Sequence, residues 1–230
     1  MLFREGARMT RKFLGIAAGL GSASLALALA STPASATLLP PGGSVSASLF
    51  GAISGAVVAD TGTVNLTSSP AGFTSTYREE VVADSGRGGL LDFILQSTNN
   101  SGSTDAIGRV TLASFTGFTT DVGTATSAGN LSGGTDAPAT ITRGSAGDNV
   151  GFNFTGACPG SAFCPGTTTE VLVIETNARA FVPGSVSEIN SGVASGAGFA
   201  PAVPEPASLT LLGTGLLGFG LFRRWRRKTA

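Results

Sequence analysis

The carboxy-terminal segment VPEPASLTLLGTGLLGFGLFRRWRRK restricts the chain more than any other part of it. Val203-Pro204-Glu205-Pro206 cannot be helical throughout, because proline lacks an amide donor and disfavours helix in the residue before it. Sixteen residues without a charge follow, from Ala207 to Phe222, and Arg223, Arg224, Arg226, Arg227 and Lys228 close the segment. An apolar run ended by five cations reads as a transmembrane helix over 207–222, not as a core helix of a soluble domain. A helix of this length spans ~24 Å against a hydrocarbon core of ~30 Å, and snorkelling arginines with local bilayer thinning cover the difference. Cations at the carboxy end favour a cytoplasmic terminus, which places everything before Pro204 outside. Gly213, Gly215 and Gly218 spell the dinucleotide-binding pattern, but no strand precedes them and no acidic residue follows at the required distance. That match is accidental.

In its order of box, glycine-rich apolar span and arginines, the segment 203–228 resembles the carboxy-terminal sorting signal of PEP-CTERM proteins. These are Gram-negative surface proteins processed by exosortase. The resemblance implies export, a membrane-anchored intermediate, and a final place at the cell surface or in the extracellular matrix. It implies exosortase and the secretion machinery as partners, and exopolysaccharide as a partner in the matrix. Val203, Pro204, Glu205 and Pro206 are then the sorting and processing residues, and the five cations the topology anchor. The same tail is also called an ice-binding protein C-terminal domain. Ice binding needs a repeated flat face, and the threonine clusters Thr119-Thr120 and Thr167-Thr168-Thr169 recur at no fixed period.

The amino end carries a second targeting segment. Arg8, Arg11 and Lys12 precede an apolar stretch from Phe13 to Ala30, and Ala34-Ser35-Ala36 supplies a small-residue cleavage pattern. Residues 1–36 therefore read as a secretory signal peptide cut after Ala36, with Met9 as the expected start. Without a cysteine near the cut, it is not a lipoprotein signal. Between the two ends the exported body holds five arginines against twelve acidic residues, a net charge of −7 hidden by the neutral whole chain. Such a body repels nucleic acid, whose binding depends on lysine and arginine.

The chain has no histidine. This removes Ser-His-Asp and Cys-His nucleophilic catalysis and histidine-based metal sites, and no cofactor is expected. The two cysteines, Cys158 and Cys164 in GACPGSAFCPG, fit no redox or zinc spacing. In an oxidising compartment they read as a small disulfide, with two free thiols or an intermolecular link as the alternatives.

The body is rich in glycine, serine and threonine, and its apolar residues come in short runs bounded by turn residues. Asn149–Phe154 alternates with Val150, Phe152 and Phe154 on one face; Glu170–Glu175 is a continuous apolar strand buried on both faces; Leu90–Gln96 sets Leu91, Phe93 and Leu95 against Asp92 and Gln96. Further strands are expected at 45–50, 56–66, 73–82, 107–115 and 178–182. Eight or nine strands of this kind predict an all-β chain with a single β-sandwich-like ectodomain over 37–183. A terminal strand and linker at 184–202 then lead to the sorting signal, with its box at 203–206, helix at 207–222 and basic tail at 223–228. Phe93, Phe115, Phe118, Phe152, Phe154 and Phe181 are the expected aromatic core. The stretches 90–123, 150–154 and 171–181 resemble bodies found in many PEP-CTERM proteins, which implies a β-rich module without known activity.

Chemistry is sparse in this body. Glu79, Asp92, Glu175 and Glu188 are available to a two-carboxylate hydrolase, but no motif singles out a pair. Glu79 and Glu80 are neighbours on a strand and point to opposite faces. The loop NNSGSTD, Asn99 to Asp105, is oxygen-rich but lacks the spacing and closing glutamate of an EF-hand; it reads as an ordinary turn, with calcium binding as the alternative, and no metal ligands are expected. The expectation is a non-enzymatic surface or biofilm-matrix protein. A carbohydrate-binding module or a carboxylate-based polysaccharide hydrolase is the alternative that the same fold can host.

Overall fold

Four consecutive apolar residues, Val171 to Ile174, leave no solvated face, so the strand that holds them needs cover on both sides. The computed structural model, which describes residues 37–50, 53–155, 158 and 163–202, shows how that cover is built. Among the described residues are fifteen strands, β1 to β15 in chain order, and no helix. β13 (Val171–Thr176) lies inside a seven-stranded sheet between β6 (Leu90–Asn99) and β8 (Thr120–Ala125), antiparallel to both. Beyond β8 lies the short β1 (Thr37–Leu38). Beyond β6 lies β5 (Thr74–Asp84), whose other edge pairs with both β3 (Gly55–Asp60) and β4 (Val64–Thr67).

A second sheet of six strands runs in the order β15 (Val193–Pro201), β14 (Phe181–Ile189), β7 (Arg109–Ala113), β12 (Asn149–Asn153), β11 (Thr140–Arg143) and β2 (Ser44–Ser46). β9 (Ser127–Ala128) and β10 (Leu131–Ser132) form a separate hairpin.

Alternation decides which side chains meet. Tyr77, Val81, Phe93, Leu95, Leu172 and Ile174 from the first sheet share one core with Val110, Leu112, Ile141, Val150, Phe152 and Val186 from the second. The two sheets thus face each other across apolar side chains, each worth roughly 1.5–3 kcal/mol when fully buried. Phe93 and Phe115 meet edge to face with ring centres 5.5 Å apart. The opposite face of the first sheet carries Val82, Ile94, Val171 and Val173, and these are covered by Phe50, Ile53 and Val57 and by the β9–β10 hairpin through Ala128 and Leu131. Covered on both sides, β13 has no position that calls for a polar side chain until Glu175. Gly123 of β8 makes the cover possible: a Cβ there would stand 2.4 Å from the Phe50 ring and from the Ser48 carbonyl.

Of the expected aromatic core, Phe93, Phe115, Phe152 and Phe154 are buried, while Phe118 and Phe181 pack at its margin. Phe73 and Phe163 are also fully enclosed, though neither was expected there. Several strand boundaries differ from expectation. The segment 45–50 is a strand only to Ser46, and 56–66 is two strands separated by a turn in which the Gly62 amide donates to Asp60 Oδ1 at 2.7 Å. β8 and β11 went unforeseen because each presents few apolar side chains.

The largest difference concerns residues 184–202. In place of a strand and linker, β14 and β15 form a nine-pair hairpin from Phe181↔Pro201 to Ile189↔Val193. Small residues erase the apolar pattern here because the hairpin approaches the first sheet closely. A Cβ at Gly196 would lie 2.5 Å from the Tyr77 hydroxyl. The folded body therefore extends to Pro201.

Candidate functional site

The sorting residues Val203, Pro204, Glu205 and Pro206, the cations Arg223, Arg224, Arg226, Arg227 and Lys228, and the signal-cleavage residues Ala34 and Ala36 lie outside the described residues. So does the expected membrane helix at 207–222; among the described residues no helix is long and apolar enough to cross a membrane. Cys158 and Cys164 are joined in a disulfide, with Cα atoms 5.8 Å apart. The pairing that the spacing left open is thus intramolecular.

The four carboxylates named from the sequence fall into two groups, one on each face of the first sheet. On the face that carries Val82 and Val173, register places Glu175 of β13 directly opposite Asp92 of β6 on one side and Asp121 of β8 on the other. Asp84, at the end of β5, joins them: carboxylate oxygens of Asp84, Asp92 and Glu175 lie within 4.8 Å of one another. Strands separated by long stretches of chain form this group, so no local motif announces it.

One cation serves the cluster. Arg87, in the turn between β5 and β6, is paired with Asp92 through Nη1, lies 3.5 Å from Glu175 Oε2, and donates through Nη2 to the Thr176 carbonyl at 2.8 Å. Asp92 is fully buried, and among the described residues its Oδ2 has no hydrogen-bond partner. Burial pushes the Asp92 carboxyl up to about 8 against the opposing pull of Arg87, and the charges of Glu175 and Asp84 add to the rise. Burial also raises Glu175, opposed by Arg87 and helped by Asp121 and Asp84.

The second group lies between the sheets, where the β14–β15 hairpin crosses β5 and β6. Glu79 Oε2 accepts the Phe199 amide at 3.0 Å, and the Tyr77 hydroxyl donates to the Ala197 carbonyl. Glu188 of β14 accepts from the Ser75 and Ser97 hydroxyls, the latter at 2.5 Å. Burial drives the Glu79 carboxyl up to about 8, with the Phe199 amide opposing, and raises Glu188 against its two serine donors. The Tyr77 hydroxyl is raised too, by burial and then by the charges of Glu79 and Glu188. Both carboxylates are closed to solvent. This group fastens one sheet to the other and offers a substrate no approach.

Glu80 points away from Glu79, as adjacent strand residues must. It accepts from the Asn130 amide at 2.9 Å and pairs with Arg78 at 2.9 Å. The loop 99–105 spends most of its polar groups on the surrounding protein, while among the described residues the buried Asn99 Oδ1 has no hydrogen-bond partner. Asn99 Nδ2 donates to the Asp105 and Phe163 carbonyls, Ser103 Oγ donates to the Thr74 carbonyl, and Asp105 Oδ2 accepts from Ser191. It is a turn that ties strands together.

No curated protein and no solved structure matches the chain. Residues 202–228 match the family described as the PEP-CTERM protein-sorting motif. The match begins one residue after β15 ends and takes in the Pro-Glu-Pro box, the apolar span and the arginines read from the sequence. The chain therefore carries, directly behind an all-β body, a PEP-CTERM sorting motif of the kind that marks exported proteins processed by exosortase.

Proposed function

We propose that this protein is a non-enzymatic component of the cell surface or biofilm matrix of a Gram-negative bacterium, held by its tail in the membrane until exosortase cuts near Pro204. The sorting motif at 202–228 carries this reading. The chemistry of the body agrees with it. The interior carboxylates are sealed, the outer cluster is engaged by Arg87, and there is no histidine to activate a nucleophile.

Processing has a simple chemical readout, because Lys12 and Lys228 are the only lysines in the chain. With the signal cut after Ala36 and the tail removed near Val203, the α-amino group of Thr37 is the one primary amine left. Amine-reactive labelling of the exported protein is expected to add a single group, at the amino terminus, with an intact mass that lacks the arginine cluster. A labelled Lys228 would count against exosortase processing, and a labelled Lys12 against cleavage after Ala36.

A second reading, carbohydrate binding, draws on a shallow pocket of about 250 Å³ on the first sheet, lined by Thr76, Arg78, Gln96, Thr98, Asn130 and Ser132. These side chains suit sugar hydroxyls. The pocket lacks a stacking ring, however, since the Tyr77 hydroxyl at its edge reaches the interior instead. Retention of the exported protein on one immobilised polysaccharide, lost in Arg78→Ala, supports this second reading; no retention on any supports the first.

A further inference from the structure

We propose that the carboxylate cluster Asp84, Asp92 and Glu175, with Asp121 beside it, is a calcium site that binds the ion in exchange for the Arg87 guanidinium. The backbone sets the row. Asp92, Glu175 and Asp121 are directly opposed on three adjacent strands, and like charges so placed destabilise a sheet. Carboxylate oxygens of Asp84, Asp92 and Glu175 lie within 4.8 Å of one another on rigid strands, and Arg87 pairs with two of the three.

The second observation is the buried oxygen. Asp92 is fully enclosed, yet among the described residues its Oδ2 accepts no hydrogen bond. A buried acceptor left without a donor is costly, and a bound ion is one of the few ways a native protein satisfies it. The third is convergence. Asp92 Oδ1, Glu175 Oε2 and the Thr176 carbonyl all turn toward the same positive group. Two carboxylates and a backbone carbonyl form a ligand set made only of oxygen, which selects a hard cation. Calcium accepts irregular sets of mono- and bidentate carboxylates with carbonyls, whereas magnesium demands near-octahedral geometry and keeps its water.

Arg87 is placed to give way. Its side chain is a quarter exposed, and it sits in a turn with Gly86, Gly88 and Gly89, the last two at φ +69° and +77°. Swinging the guanidinium into solvent leaves the three oxygens facing the vacated position. The inference stands apart from the reading of the tail, since it uses only residues of the body.

The test is calcium titration of the full chain, stripped of metal, followed by calorimetry and by thermal unfolding. One calcium per chain and a melting temperature that climbs with calcium concentration are expected. Asp92→Asn and Glu175→Gln should each weaken binding by about tenfold or more. Asp105→Asn, in the other oxygen-rich loop, should leave it unchanged. Arg87→Gln supplies the discriminating sign. Removing the competing guanidinium should tighten calcium binding severalfold, an effect that damage to the fold cannot produce. Absence of binding at millimolar calcium, binding undiminished in Asp92→Asn, or weaker binding in Arg87→Gln would each overturn the proposal. Equal affinity for magnesium would overturn the choice of calcium.

Discussion

Replacing Arg143 with leucine is expected to destabilise the folded body by about 4 kcal/mol, because the change strands several buried acceptors at once. Arg143 ends β11 and is almost wholly buried. Its Nη1 donates to the Leu39 carbonyl at 3.1 Å and to Thr120 Oγ1 at 3.0 Å. Its Nη2 donates to the Phe115 and Phe118 carbonyls, both at 2.8 Å, and Nε reaches the Gly147 carbonyl at 3.2 Å. These partners belong to the β1–β8 end of the first sheet and to loops of the second, so one guanidinium joins both layers, with no carboxylate among its contacts within the described residues. Lysine should recover little, since a single ammonium cannot reproduce the planar fork that spans these carbonyls. Urea unfolding of the exported protein measures the loss. A drop below ~1 kcal/mol, the worth of one ordinary hydrogen bond, would show that the carbonyls find other donors.

The second large effect is on pH dependence. Glu79 sits at about 8 in the folded protein against an ordinary 4.5, driven by burial. Below the ordinary value the carboxyl is protonated whether the chain is folded or not, and its contribution is intact. As pH rises from there toward 8, the unfolded chain releases the proton while the folded chain keeps it, so stability falls until the folded group also ionises. At ~1.4 kcal/mol per unit, the whole fall amounts to about 5 kcal/mol. Tyr77 on the same strand and Glu188 on β14 are the titratable groups that face this seam, and β15 brings only backbone. Glu188, also raised, slopes the same way. Glu79→Gln keeps an acceptor for the Phe199 amide and has no proton to lose. Its unfolding free energy should match the wild type near pH 4.5 and exceed it at pH 8. A variant that tracks the wild type across that range would show that Glu79 is ionised within the fold.

What could be read from the residues was whatever local pattern carries. Val171 to Ile174 announced a strand covered on both faces, and Val150 with Phe152 announced the core side of β12. The tail was legible because its order of proline, apolar run and arginine is itself the signal. The carboxylate cluster was not legible. Asp92 sits in a clean alternation where it looks like a solvent-facing acid, and only the pairing of β6, β13 and β8 sets it beside Glu175 and Asp121. Arg143 was invisible for the same reason, since TITR has too little apolar content to suggest a strand, and its partners near Leu39 and Phe115 are distant in the chain. At 184–202 a terminal strand and linker were expected where most of the hairpin runs, because the glycines that permit close approach of two sheets are also the residues that fill flexible connections.

Under the proposed anchoring, that hairpin would set how the body responds to mechanical load. β15 is an edge strand, and Pro201, where the tail begins, pairs with Phe181 at the open end of the hairpin. If the tail is held as proposed, tension on it would peel β15 from β14 one pair at a time, a weaker geometry than shearing all nine pairs together. Within four residues of the point of pull stand the Glu79 contact to Phe199 and the Tyr77 contact to Ala197, both reaching across from the other sheet. Any force that propagates along the strand would meet these two clasps by the time it reaches the middle pair, Ser185↔Ala197. In a chain so held, the buried polar seam would act as a mechanical stop, and the pH that ionises Glu79 would also set how firmly the last strand is held.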